Sequence, residues 1–189
     1  MLLYDAPIRT FIPGEYRIRL ASEAWERAGH HRLRRQIFCA EQGIFADDDA
    51  DAIDEVATTI VAVTCIAAAP QEVVGVVRIH EAEPGLWWGS RLGVDEAHRR
   101  VGRLGAELIR MAVCTANERG CRTFLAHVQV QNLSLFRRLH WESLREVDLH
   151  GRAHHVMRVD LAHYLPHGRD TTSLIGRQAV ARPMIERAA

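Results

Sequence analysis

The 189-residue chain contains no lysine, so arginine supplies all 24 of its basic residues. This absence excludes a lysine nucleophile and a lysine Schiff base from its chemistry. The arginines are balanced by 24 acidic residues, and a formal net charge of +0 provides no basic field that would attract nucleic acid. We therefore expect no nucleic-acid partner.

Cysteine and long apolar runs are also scarce. The four cysteines, Cys39, Cys65, Cys114 and Cys121, form no C-x-x-C pair. This argues against a zinc site or a disulfide framework, and it predicts reduced, mostly buried thiols in a cytoplasmic protein without a metal. The longest apolar stretch, residues 60–70, is too short to span a membrane, and the N-terminus lacks the basic and apolar regions of a signal peptide. We expect no membrane partner.

What is present is typical of a globular protein, with 48% hydrophobic and 25% charged residues. The chain is long enough for one domain with a substantial core. We predict a lead-in over residues 1–15, a single domain over 16–165, and a tail over 166–189 that either packs on a neighbouring subunit or is mobile.

The periodicity of apolar residues predicts the order β-α-β-β-β-α-β-α-β-β. This order predicts an α/β (α+β) fold with a mixed, mostly antiparallel central sheet of about seven strands flanked by helices. Ser22 is the predicted N-cap of the first helix, whose buried side would carry Trp25, Ala28, Leu33 and Ile37. The predicted strands are 16–20, 60–67, 73–80, 87–94, 123–130, 141–149 and 153–161, and the predicted helices are 22–40, 105–119 and 132–139. A Pro-containing turn would join the second and third strands.

Residues 87–110 form the most informative segment: an apolar strand, a polar turn, a Gly-Arg-Leu-Gly step and a helix. The first backbone N–H groups of a helix have no partner inside the helix and lie at the positive end of its dipole. A phosphate fits there, so the segment predicts a phosphorylated cofactor. The buried face of this helix is predicted to comprise Leu104, Leu108, Met111, Ala112 and Thr115.

The element order and this strand–turn–helix resemble the GNAT superfamily of acyl-CoA N-acyltransferases, over about residues 16–161. The family motif is Arg or Gln, two residues, Gly, any residue, and Gly or Ala. Counting back from the helix places Gly105 on the second glycine, Arg100 on the motif Arg, and Arg103 where a Gly is usual. Counting forward from the strand fits Arg99 and Gly102 instead, with one extra loop residue. We favour the helix register because Leu108-Ile109 then matches the family's apolar pair.

The resemblance implies acetyl-CoA, or another acyl-CoA, as the co-substrate. Backbone amides of residues 101–106 would hold the pyrophosphate, with an added contact from an arginine. Backbone groups of residues 92–94 would bind pantetheine and polarise the thioester carbonyl, with Gly93 either in a strand bulge or relieving crowding. The implied cofactor residues are Leu92, Gly93, Val94, Arg99, Arg100, Val101, Gly102, Arg103, Leu104, Gly105, Ala106 and Asn132.

Residues 131–141 resemble the family's N-x-x-x-x-Y-x-x-x-G-F helix. Asn132 matches the Asn that contacts the cofactor, and it is equally suited to be a helix N-cap. Phe136 stands where many members have the Tyr that protonates the leaving thiolate, and His140 replaces the usual Gly. A thiol pKa of about 8.5 makes the thiolate a tolerable leaving group. Loss of the Tyr therefore slows the reaction without forbidding it, unless another residue donates the proton.

Two further segments resemble the ElaA-like branch. Residues 34–44 are similar to its R-x-x-V-F-x-x-E-Q segment, a pattern also reminiscent of acyl-homoserine lactone synthases. Residues 151–157, GRAHHVM, are similar to its G-I-P-H-x-x-M and place His154 on the His of that pattern.

Acyl transfer to an amine needs a base. An alkyl amine with a pKa near 10 is only about one thousandth neutral at pH 7. A carboxylate or a neutral imidazole can take its proton. We consider Glu41, His127 and His154 as catalytic candidates, and Glu55 beside them, each of which could instead be a solvated or structural residue. The six carboxylates of residues 47–55 are expected to form a solvated loop; if they line the cleft, they favour a cationic amine.

The predicted function is transfer of acetyl from acetyl-CoA to a primary amine of a small molecule or peptide. Attack would be direct, in a ternary complex, because no cysteine has triad-like neighbours in the sequence. The alternatives are a non-catalytic acyl-CoA-binding regulatory domain, and an acyl-homoserine lactone-type synthase that uses S-adenosylmethionine. Dimers are common among proteins that resemble this one, so both a monomer and a homodimer stay open, and we expect a bacterial protein.

Overall fold

The computed structural model describes residues 14–99, 101, 103–166, 168 and 171–175. Within these residues one sheet contains eight strands: β1 (Glu15–Leu20), β2 (Thr58–Ile66), β3 (Ala69–Glu83), β4 (Leu86–Val94), β5 (Thr123–Gln129), β6 (Trp141–Leu149), β7 (Arg152–Val159) and β8 (Thr171–Ile175). The helices are α1 (Ala24–Arg34), α2 (Leu104–Glu118) and α3 (Leu133–Arg138), and α1 continues into a π-helical segment, Arg35–Glu41. No helix in this part of the chain is long and apolar enough to cross a membrane.

The strands are arranged in the order β6-β7-β5-β4-β3-β2-β1-β8. Only β4 and β5 are parallel; the other neighbouring pairs are antiparallel. The predicted mixed, mostly antiparallel sheet is therefore confirmed. The eighth strand comes from the segment predicted to be a tail, where β8 pairs with β1.

The two parallel strands diverge in the middle of the sheet. Their pairing runs from Leu86 opposite Thr123 to Gly89 opposite Ala126. Beyond these residues β4 continues to pair with β3, while β5 continues with β7. The divergence opens the sheet between its two central strands.

A bulge in β4 lies at the start of this opening. Val76 and Arg78, two positions apart on β3, pair with Gly93 and Ser90, which are three positions apart on β4. Arg91 has a left-handed φ of 54°. The bulge expected near Gly93 is thus centred on Arg91. Gly93 instead relieves crowding between β4 and the π-helical segment, because a Cβ at this position would lie 2.7 Å from Cδ1 of Ile37.

Helix α2 covers one face of the sheet, and its predicted buried residues Leu104, Leu108, Met111, Ala112 and Thr115 are all buried. Helix α1 covers the other face, where Leu33 and Ile37 are buried as predicted. Trp25 and Ala28 are exposed, so that part of the prediction is wrong. The helix instead turns Gly29 toward the sheet, where a Cβ would lie 2.7 Å from Cγ2 of Val73.

Two local details also differ from the sequence prediction. Glu23, not Ser22, is the N-cap of α1, and the Glu26 carboxylate accepts the backbone N–H of both residues at 3.0 Å. The β2–β3 turn is Ala67-Ala68, with φ values of 49° and 64°. Pro70, predicted in the turn, lies inside β3.

Candidate active site

The N-terminus of α2 points into a groove. The first helical hydrogen bond of α2 runs from the N–H of Glu107 to the carbonyl of Arg103 at 2.8 Å, so the amides of residues 104–106 have no partner within the helix. Arg103, the N-cap, has a φ of 85°. This left-handed conformation explains why a Gly is usual at that position in the resembled motif.

The groove, of about 510 Å³, brings together most of the residues predicted to bind the cofactor. Val101 is buried in the core and is not among the described residues that line the groove. Arg100 and Gly102 lie outside the described residues. A Cβ on Gly105 would meet only Cγ2 of Val94, at 3.9 Å. The predicted residues that line the groove are Leu92, Gly93, Val94, Arg99, Arg103, Leu104, Gly105, Ala106 and Asn132.

Glu41 and Arg99 form an ion pair beside this groove. The Arg99 Nε donates to the carbonyl of Val94 at 2.9 Å, and its Nη2 donates to the Glu41 carboxylate. Gln36 also donates to Glu41, at 3.3 Å. Glu41 is absent from the described residues that line the cavity containing the other two predicted bases. Glu55 is exposed at the end of a 3₁₀ turn, Ala52–Glu55.

A cavity of about 220 Å³ lies at the divergence of β4 and β5. It connects to the groove, because both are lined by Gln42, Leu92, Gln129, Asn132 and Phe136. The Gln129 side chain donates to the Gln42 side chain at 3.1 Å, which links β5 to the end of the π-helical segment at this junction. A ligand in the groove can therefore present its end to the cavity.

His154 is only 8% exposed and lines the cavity. Its Nδ1 lies 2.8 Å from the backbone carbonyl of Arg152. A carbonyl only accepts, so Nδ1 carries the proton in the neutral ring and Nε2 keeps a free lone pair. This tautomer suits a general base.

His127 lines the same cavity and stacks on Trp88, with ring centroids 4.7 Å apart. His127 is exposed, yet partial desolvation in the cavity, followed by the nearby His154 and Arg145, lowers the pKa of its ring below the usual 6.5. The structure thus places His127 and His154 together and Glu41 apart from them.

Phe136 is buried at the junction, where it contacts Trp141 edge-on with ring centroids 5.0 Å apart. It brings no hydroxyl to the place where the resembled helix carries a Tyr. Asn132 is the N-cap of α3 but makes no side-chain capping hydrogen bond. Its side-chain amide can therefore bind a ligand in the groove, which Asn132 lines. His140 has a φ of 62°, which explains why a Gly is usual at that position.

The acidic loop is only in part the solvated loop expected from the sequence: Asp47, Asp48, Asp51 and Glu55 are exposed, whereas Asp49 is buried and Asp54 is half-buried. Asp49 is 1% exposed, and its Oδ2 accepts from the Nε of Arg34 at 2.8 Å. The same guanidinium donates to both carboxylate oxygens of Asp54, at 2.5 and 3.0 Å. Burial raises the pKa of Asp54, but hydrogen bonds from Arg34 and Arg78 lower it further, to well below its usual range.

Arg91, which the sequence did not single out, extends this network to the cavity. Its Nε donates to Oδ2 of Asp49 at 2.7 Å, and its Nη2 donates to Asp51 at 3.2 Å. The guanidinium also lies 4.7 Å from the ring centroid of Phe45, another cavity residue. Apolar periodicity carries no signal for such a residue, because its position depends on the bulge and on a loop 42 residues away.

All four cysteines are free, and three of them are buried, as predicted. No group of three or more His, Cys, Asp or Glu side chains in the described residues could hold a metal ion.

Residues 21–141, more than half of the chain, match the acetyltransferase (GNAT) family. The chain belongs to this family. The resemblance inferred from the sequence is confirmed, and the protein is an acyltransferase that uses an acyl-CoA co-substrate. Comparison with curated proteins gives no match.

Solved structures share the fold. A candidate N-acetyltransferase of Lactobacillus plantarum has 20% identity and a TM-score of 0.68, over 76% of this chain and 97% of that chain. Escherichia coli ElaA has 16% identity and a TM-score of 0.64, over 77% and 98%. BjaI, a CoA-dependent acyl-homoserine lactone synthase, has 18% identity and a TM-score of 0.59, over 76% and 83%.

Proposed function

We propose that the protein transfers the acetyl group of acetyl-CoA to a primary amine of a small molecule or peptide, within a ternary complex. The observation that supports this proposal is that the groove opens into the cavity. The groove ends at unpaired helix amides that suit a pyrophosphate, and the cavity contains the two imidazoles. The bond to be broken would lie between them.

Residues on the groove side would bind acetyl-CoA. The amides of residues 104–106 and the Arg103 guanidinium favour the pyrophosphate. Backbone groups of β4 beyond the bulge favour the pantetheine arm and the thioester carbonyl, because β5 does not pair with them there. Asn132 would contact the cofactor from α3.

His154 is the base we favour. Nε2 of His154 takes the proton of the bound ammonium, and the resulting neutral amine attacks the thioester carbonyl and forms the new N–C bond. The nitrogen loses its second proton to solvent as the amide forms. The C–S bond then breaks, and its electron pair leaves with the sulfur. Phe136 cannot protonate that sulfur, so CoA leaves as a thiolate, which a thiol pKa of about 8.5 permits. None of the described residues lining the groove or cavity is a cysteine, which supports direct attack.

Calorimetry with acetyl-CoA tests the groove. Gly105→Glu places bulk and negative charge at the helix terminus, and we expect it to abolish binding. Gly105→Ala is the matched control, because its Cβ finds ordinary contact at 3.9 Å and should leave the affinity unchanged. If Gly105→Glu binds like the unmodified protein, the cofactor site is elsewhere.

A second variant tests the base. His154→Gln should lower kcat by about 10²–10⁴-fold and leave the dissociation constant of acetyl-CoA unchanged. His127→Gln is the comparison, since His127 lines the same cavity. A larger loss in His127→Gln than in His154→Gln would reassign the base. Acetyl-CoA binding without transfer to any amine would favour the non-catalytic alternative, and product formed only with S-adenosylmethionine would favour the lactone-type synthase.

The free cysteines fit a reducing compartment, so we propose a cytoplasmic location. A homodimer, common among proteins that resemble this one, stays a prediction, which sedimentation analysis would check.

A further inference from the structure

The described residues that line the cavity offer a substrate neither a carboxylate nor an unpaired guanidinium, and their other titratable side chains are His127, His150 and His154. No carboxylate occurs among its described lining residues. Its one arginine there, Arg91, is already paired with Asp49 and Asp51. The acidic loop therefore does not offer free carboxylates to the cavity, and Asp47 and Asp48 line a different depression beside Arg35.

Apolar and aromatic side chains form the wall of the cavity on the α1 side of the sheet. Phe38, Ile44 and Phe45 contribute there, and Leu149 lines the same cavity. The Phe45 ring contacts His150 edge-on with centroids 5.0 Å apart. The rings of Phe45 and Phe38 lie 4.7 and 5.9 Å from the Arg91 guanidinium, which holds this wall against the acidic loop. Such a wall fits the flat body of an aromatic ligand.

The lack of carboxylates and the aromatic wall together determine which amines the cavity can accept. A reacting ammonium becomes neutral when it loses its proton, so a cavity without carboxylates accepts it. A second ammonium or a carboxylate elsewhere on the substrate would remain charged and lose its hydration without a partner. On the basis of the proposed function, we infer that the acceptor is a primary monoamine on an aromatic or bulky apolar body, with no second charged group.

Three amines test this inference, each with acetyl-CoA and detection of released CoA thiol. 2-Phenylethylamine fits the cavity; phenylalanine adds a carboxylate to the same skeleton; 1,4-diaminobutane adds a second ammonium and lacks the ring. We expect kcat/KM for 2-phenylethylamine to exceed that of the other two by about 100-fold or more. Equal or better use of phenylalanine or 1,4-diaminobutane overturns the inference but leaves acyl transfer in place. Failure to bind acetyl-CoA instead overturns the proposed function.

Substitution of a residue in the apolar wall tests the inference independently. Phe45→Ala should raise KM for 2-phenylethylamine about tenfold while Phe45→Leu, which keeps an apolar side chain, restores part of the loss. The control Val56→Ala lies at a residue that is 71% exposed and should leave KM unchanged. Acetyl-CoA affinity should be the same in all three variants. An unchanged KM in Phe45→Ala would overturn the assignment of this wall to the acceptor.

Discussion

Replacing Asp49 by Ala removes the centre of the arginine–aspartate network. The carboxylate oxygen Oδ2 accepts from Arg34 at 2.8 Å and from Arg91 at 2.7 Å. The backbone carbonyl of Asp49 accepts from the same two guanidinium groups, at 3.0 and 2.8 Å, and survives the substitution. The variant thus removes one buried charge and keeps the backbone contacts.

The cost follows from the burial of the partners. Removing one member of a buried ion pair typically costs about 3–5 kcal/mol, because the other charge is left without compensation. Arg34 is fully buried but retains the Asp54 carboxylate, whereas the one carboxylate that Arg91 retains among these contacts is that of Asp51, at the longer distance of 3.2 Å. We therefore expect the lower end, about 3 kcal/mol of unfolding free energy. For a domain of this size that corresponds to a Tm lower by about 6–12 °C.

Urea and thermal unfolding, followed by circular dichroism, measure this loss. Asp47→Ala is the matched control in the same loop, because Asp47 is exposed and should change stability by less than about 0.5 kcal/mol. If Asp49→Ala and Asp47→Ala unfold within about 1 kcal/mol of each other, the loop is not anchored as the structure indicates.

Two further predictions concern the site and the network. Phe136→Tyr supplies a hydroxyl at the junction of groove and cavity. Because this hydroxyl can protonate the leaving thiolate, kcat measured by thiol release should rise by up to about 100-fold. A rate equal to or below that of the unmodified protein would contradict the idea that the missing hydroxyl limits the reaction. The second prediction concerns stability at low pH. The pKa values of Asp51 and Asp54 are lowered from 3.8 in the folded protein, so the two ionised carboxylates stabilise the fold fully above about pH 4, and this stabilisation is lost as the pH falls below it. Urea unfolding between pH 7 and pH 2 should show this loss, and Asp54→Asn should reduce it; an identical pH dependence in the variant would argue against the pairing of Asp54.

The parts of the fold that depend on local patterns were predictable from sequence. The buried face of α2 follows from its apolar spacing, and the strands follow from β-branched runs, so the sheet and its central strand–turn–helix were anticipated. The position of Gly105 at the groove followed from the same segment. His154 was found through a resemblance in the sequence around it, and the structure adds its tautomer.

Features that depend on distant contacts were not predictable. The left-handed Arg91 and the burial of Asp49 arise only when β4 and the acidic loop meet, and composition alone makes such a loop look solvated. The sequence predicts Trp25 on the buried side of α1 with Leu33 and Ile37, yet the close approach of Gly29 to Val73 sets the rotation of α1 and leaves Trp25 exposed. The pairing of β8 with β1 likewise depends on a partner more than a hundred residues away.

The divergence of β4 and β5 divides the sheet into two half-sheets joined by four residue pairs. Helix α2 packs on the half that contains β1–β4, and α3 packs on β6 of the other half. A CoA molecule lying between the N-terminus of α2 and Asn132 would touch both halves. The co-substrate would then act as a structural cross-link as well as an acyl donor, and its binding energy would add to the cohesion of the two half-sheets.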